Sequence, residues 1–99
     1  MSSPGADEPP YRHLSLTMVN RRGLHARAAA KFVKVAERYD CEIEVSKDGH
    51  SVSGRSIMGL LMLAATPGSV IDVRLRGPEA DAASEEIRYL VENGFGEED

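Results

Sequence analysis

The sequence has one cysteine, no tryptophan, and only three tyrosines and two phenylalanines in 99 residues. A lone Cys41 excludes an internal disulfide and any multi-cysteine metal cage, and it fits a reducing compartment. The scarcity of aromatics, with a core that is near neutral, argues against nucleic-acid binding. No long apolar run exists: the longest is LLMLAA at 60–65, far short of the roughly 20 residues a membrane span needs. The first ten residues are Pro-, Ser- and acid-rich and are read as a disordered lead, not a signal peptide. The length suits one domain with its own core and excludes a dinucleotide fold or a two-domain cleft.

A strong net charge is also missing. The balance is −4, but Asp7, Glu8, Glu97, Glu98 and Asp99 alone carry −5. What remains is segregated. Arg21, Arg22, Arg27, Lys31, Lys34 and Arg38 face only Glu37 over 20–38, whereas 79–92 holds Glu79, Asp81, Glu85, Glu86 and Glu92 against Arg88. Such a pattern suits a domain that meets acidic surfaces or phosphate; it also suits two solvated helix faces.

Periodicity supplies the elements. Leu14, Leu16 and Met18 alternate with polar residues, the mark of a half-buried strand at 13–18. The segment 26–39 reads as a helix, with Ala29, Phe32, Val33 and Ala36 on one stripe and Arg27, Lys31, Lys34 and Arg38 opposite. Strands at 41–45 and 50–53 flank an Asp48-Gly49 hairpin turn. Ser56 is a suitable N-cap for a short helix at 57–64. Pro67-Gly68 breaks the chain, 69–76 alternates again, and Gly77-Pro78 opens a last helix that Gly94 ends. The expected class is α+β: β-α-β-β-α-β-α, with a four-stranded antiparallel sheet covered by three helices on one face. The folded unit is placed at 11–93, with an acidic, frayed tail at 94–99.

His25 stands where a loop becomes the first helix. A helix start offers unpaired N–H groups, here those of Ala26, Arg27 and Ala28, and about half a positive charge, which together hold phosphate. That field and Arg27 favour a neutral, nucleophilic imidazole, and Arg27 can fork two bonds to phosphate oxygens. The same letters also describe an ordinary polar helix end, as Ser56 also describes an ordinary cap. The second helix is apolar all round, which either clamps it in the core or exposes part of it to partners. His13, His50 and Cys41 show no metal-site spacing.

Two segments taken together resemble the HPr family, the histidine-containing phosphocarriers of the bacterial phosphotransferase system. NRRGLHARAAAKFV at 20–33 is similar to the family's phosphohistidine segment, and GRSIMGLLML at 54–63 to its regulatory-serine segment. The likeness runs from about residue 13 to 91 and implies the HPr-like open-faced sandwich. It also implies that His25 takes phosphoryl on Nδ1 from enzyme I and passes it to an EIIA-type protein, with Arg27 assisting. Ser56 matches the serine modified by an ATP-dependent HPr kinase. Ile57, Met58 and Leu61 match the apolar docking patch, beside Arg27 and Lys31. The family usually has proline where this chain has Ala28, a departure that resembles the nitrogen-related branch. The expectation is a monomeric cytoplasmic carrier with no cofactor, metal, nucleic acid or membrane insertion. The alternative is a regulatory binding module that acts on partners according to its phosphorylation state.

Overall fold

The computed structural model describes residues 11–97. The lead at 1–10 lies outside them, as do Glu98 and Asp99. Alternation produces β1 (Tyr11–Thr17), whose Leu14 and Leu16 point inward, with Met18 buried just beyond. The elements that follow are α1 (Ala26–Glu37), β2 (Glu42–Lys47), β3 (His50–Ser53), α2 (Ile57–Met62), β4 (Val70–Arg76) and α3 (Ala80–Glu92). The order is the one the periodicity predicts.

The sheet runs β1-β4-β2-β3, antiparallel throughout. The last strand in the chain is therefore central. Its register sets Val73 between Leu14 and Val45, and Leu75 beside Ile43, so inward side chains form continuous rows. The buried stripes of the helices close over these rows. Phe32, Leu60 and Ile87 have no exposed surface and join Ile71, Val73 and Leu75 in one cluster. Each such apolar side chain contributes about 1.5–3 kcal/mol.

Two helices stop earlier than expected, for local reasons. α1 ends at Glu37 because the chain turns at Arg38, and the Arg55 guanidinium donates to the Ala36 and Tyr39 carbonyls at 2.9 and 2.8 Å. α2 ends at Met62, since Ala64 is left-handed at φ 53 and a helix cannot continue through that conformation. Conversely, α3 begins only at Ala80, after Glu79 has reached across to the Asp40 amide at 2.6 Å.

The segment after Gly94 corrects the expectation of a frayed end. Gly94–Gly96 forms one 3₁₀ turn, and the Phe95 side chain is 1% exposed within the core. The Lys31 ammonium donates to the Phe95 carbonyl at 2.7 Å. Burial of the ring removes a large apolar area from water, which holds the turn against the core.

Candidate functional site

The loop before α1 is knotted at Gly23. Its φ is +65, and a Cβ there would lie 2.2 Å from the Ala65 carbonyl oxygen, so only glycine fits. The Leu24 amide donates to that same oxygen at 2.8 Å. The buried Asn20 side chain donates to the Gly23 carbonyl at 2.7 Å. The residue that follows is thereby delivered to the start of α1 in a fixed pose.

That residue is His25, the N-cap of α1. Its extended backbone lets its carbonyl accept from the Ala29 amide at 2.8 Å, while its Nδ1 accepts from the Arg27 amide at 3.3 Å. Among the described residues the amides of Ala26 and Ala28 have no partner, and neither has the Arg27 guanidinium. The helix end thus offers two free donors, a third in a long and easily broken bond, and an exposed cation. This is the arrangement that accepts a phosphate.

Nε2 of His25 meets a group that the sequence did not announce. The Glu97 Oε2 lies 2.5 Å from it, and Glu97 Oε1 accepts from Asn20 Nδ2 at 3.0 Å. Asn20 first and His25 second hold the Glu97 carboxyl below the ordinary carboxylate range. The carboxylate has no proton to give, so Nε2 carries the shared one; Nδ1 accepts an N–H and therefore carries a lone pair. The tautomer follows from these two contacts. Asn20 and Glu97, 77 residues apart, were both missed as site residues. The only local signal was an apolar residue, Phe95, between two glycines just ahead of an acid.

Ser56 caps α2, with its Oγ accepting from the Gly59 amide at 2.9 Å. Ile57, Met58 and Met62 are 39%, 69% and 80% exposed. Leu61, expected in the docking patch, is half-buried and packs against the core, so it offers a partner less surface than Met58. A groove of about 380 Å³ between the two helices is lined by Arg27, Ala30, Lys31, Lys34 and Ile57 among others. It joins the basic side of α1 to the apolar start of α2. Met58 and Leu61 do not line it. Lys31, expected as a docking cation, is tied to the C-terminal turn. Cys41 is buried, and desolvation pushes its thiol up, which suits packing more than reactivity. Among the described residues no helix is long and apolar enough to cross a membrane, and no three His, Cys, Asp or Glu side chains gather as metal ligands would.

Comparison with known proteins bears on this geometry. Residues 13–93 match the family model described as the PTS HPr component phosphorylation site. The chain is 45% identical to the phosphocarrier protein HPr of Pseudomonas aeruginosa over 85 residues, 85% of this chain and 94% of that protein. It is 40% identical over 81 residues to the phosphocarrier protein HPr of Cupriavidus necator, covering 82% of this chain and 91% of that one. Among solved structures, HPr-C-His from Thermoanaerobacter tengcongensis superposes with a TM-score of 0.84 at 36% identity, covering 88% and 98% of the two chains. The Bacillus subtilis catabolite repression containing protein Crh, solved as a swapped dimer, superposes at 0.68 with 35% identity over 75% and 85%.

Proposed function

The chain belongs to the HPr family of phosphocarriers of the phosphotransferase system, and from that premise we propose that His25 is the atom-level carrier, with Nδ1 as the acceptor. One observation carries the reading: Nδ1 is unprotonated, its lone pair engaged only in a long 3.3 Å bond from the Arg27 amide, at a helix start where the Ala26 and Ala28 amides have no partner among the described residues. The Nδ1 pair attacks the donor phosphorus as the donor's P–N or P–O bond breaks and its electron pair leaves with the donor. No oxidant and no change of proton count is needed. The phosphoryl oxygens then take the Ala26, Arg27 and Ala28 amides, in the field of the helix end. The Arg27 guanidinium closes on them from outside. Transfer onward reverses the same steps.

The donor in this reading is enzyme I and the acceptor a histidine of an EIIA-type protein, both docking on Ile57, Met58 and the basic side of α1. Ser56, at the rim of that patch, is the regulatory phosphorylation site for a serine kinase. Ala28, where the family usually has proline, supports the nitrogen-related branch in this reading, and its N–H, which proline lacks, adds one donor to the cradle. A pure binding module has no use for a histidine with one ring nitrogen left unprotonated at a helix start, and that favours the carrier.

Incubation with enzyme I and phosphoenolpyruvate, followed by intact mass and acid treatment, tests the reading. The expected result is one acid-labile phosphoryl group that is absent from His25→Ala. An acid-stable adduct, or labelling of the alanine variant, overturns it.

A further inference from the structure

We propose that the C-terminal turn is a working part of the phosphoryl site: it delivers the Glu97 carboxylate to Nε2 of His25 and so makes Glu97 the positioning residue that leaves Nδ1 as the reacting nitrogen. The proposal rests on the reading of His25 as the acceptor.

Four observations place Glu97 there by construction. The Glu97 carboxylate uses both oxygens, Oε2 on His25 Nε2 at 2.5 Å and Oε1 on Asn20 Nδ2 at 3.0 Å. Asn20 is 3% exposed and ties the same amide group to the Gly23 carbonyl, so one side chain sets the loop before His25 and the carboxylate after it. Phe95 anchors the turn although its φ of 59 is unfavourable for a residue with a side chain; burial of the ring holds it there. Gly94 and Gly96 on either side are left-handed too, at φ 60 and 73, and the Lys31 ammonium and the Glu97 amide close the turn on the Phe95 and Gly94 carbonyls. A tail without a task does not hold a strained aromatic between two glycines.

The chemistry follows from the contact. A carboxylate on one ring nitrogen keeps the proton there and the lone pair on the other, which is how an aspartate sets a histidine in hydrolase triads. As the N–P bond forms at Nδ1, the ring gains positive charge, and the carboxylate across the ring stabilises it. Glu97 also covers Nε2, so a phosphoryl donor cannot reach that nitrogen. No proton leaves the ring in either direction.

The test uses the full chain with ¹⁵N-labelled histidine, comparing wild type, Glu97→Ala and Glu97→Gln. Long-range ¹H–¹⁵N spectra read the His25 tautomer without any phosphoryl donor. The wild type should show the Nε2–H form alone, Glu97→Ala both forms, and Glu97→Gln an intermediate ratio, because its amide oxygen can still accept. Phosphoramidate, a small phosphoryl donor, should give only Nδ1-phosphohistidine in the wild type and a mixture with the Nε2 isomer in Glu97→Ala. With enzyme I, the rate at saturating donor should fall by about ten- to a hundredfold in Glu97→Ala, with the half-saturating concentration little changed. A single tautomer and a single isomer in Glu97→Ala overturn the proposal. If the tautomer responds but the wild type takes no phosphoryl group, the carrier reading fails and the control of the ring by Glu97 stands. If phosphoryl uptake is normal and the tautomer is indifferent to Glu97, the reverse holds.

Discussion

Gly23→Ala should damage both stability and transfer, and the structure says by how much. Two costs arise. Alanine at φ +65 sits in a region that a side chain disfavours by about 1 kcal/mol. The new Cβ would also stand 2.2 Å from the Ala65 carbonyl oxygen, whereas ordinary contact begins at 3.4 Å. The loop before α1 and the segment after α2 must therefore part by about 1 Å. That breaks the Leu24 amide bond to Ala65, at about 1 kcal/mol, and unseats the buried Leu24. Together the losses reach about 2–4 kcal/mol, a fall in Tm on the order of 10–20 °C for a domain this size. The Gly23 carbonyl is held by Asn20 Nδ2 and by the His25 amide, so the same shift displaces the imidazole. A displacement near 1 Å is worth up to about a hundredfold in rate. Gly49→Ala is the control: its φ is +83 but nothing lies within 4 Å of the added Cβ. It should lose only the conformational term and transfer phosphoryl normally. Calorimetry and single-turnover phosphorylation of the two variants decide the matter. If Gly23→Ala melts no lower than Gly49→Ala, or transfers as fast as wild type, the knot at Gly23 does not position His25.

Arg27→Ala should slow phosphoryl uptake by roughly ten- to a hundredfold with an unchanged Tm, since its guanidinium has no partner among the described residues and acts only on the incoming phosphoryl; equal rates would remove it from the mechanism. Met58→Glu and Met62→Glu should weaken enzyme I binding without loss of Tm, whereas Leu61→Glu should lower both, because Leu61 packs against the core; titration calorimetry beside melting separates the two effects. Ser56→Asp should keep the α2 cap yet lower His25 phosphorylation at low salt and recover at high salt, while Ser56→Ala should cost about 1 kcal/mol of stability and bind normally; equal phosphorylation rates at low salt would leave Ser56 a plain cap. Glu97 has a folded pKa below its ordinary 4.5, so its pairing contributes stability above that value and loses it as pH falls through the folded pKa. The Tm gap between wild type and Glu97→Gln should therefore be fully open near pH 7 and narrow only as pH falls below the ordinary value of 4.5, and a gap that widens in acid would contradict the pairing.

Local patterns gave away the elements because each element is decided by its neighbours in sequence. Alternation marked Leu14 and Leu16, and the Asp48-Gly49 pair fixed the hairpin, where both residues take positive φ. The exposed start of α2 was legible too: a helix of Ile57, Met58, Leu60, Leu61 and Met62 cannot hide every side chain from water. The helix ends were less so. Arg55 closes α1 from 16 and 19 residues away, and Glu79 is drawn off by Asp40. The sheet order was not legible at all, since β4 lies between β1 and β2 through pairings that no local pattern encodes. The site divides in the same way. His25 and Arg27 belong to a helix start and are readable in five letters. Glu97 reaches His25 from 72 residues downstream, and an acid near a chain end looks like any solvated tail.

The charge pattern sets the readable half of the site, His25 and Arg27, apart from the rest of the basic helix. The basic ladder of α1 looked uniform in sequence, but the fold spends its far end internally. Glu86 of α3 takes both the Arg38 guanidinium and the Tyr39 hydroxyl, and Lys31 holds the C-terminal turn. Asp81 in the same acidic helix takes Arg12. The basic residues of 20–38 left without a partner among the described residues are Arg21, Arg22, Arg27 and Lys34. Three of these lie in the loop and first turn around His25, and Lys34 edges the groove that leads to Ile57. The acidic helix thus cancels Arg38 and Arg12, remote from the histidine, and leaves Arg21, Arg22 and Arg27 beside it uncancelled. Under the proposed reading, an incoming acidic surface would be steered toward His25 by charge, and the exposed side chains of Ile57 and Met58 would hold it once there.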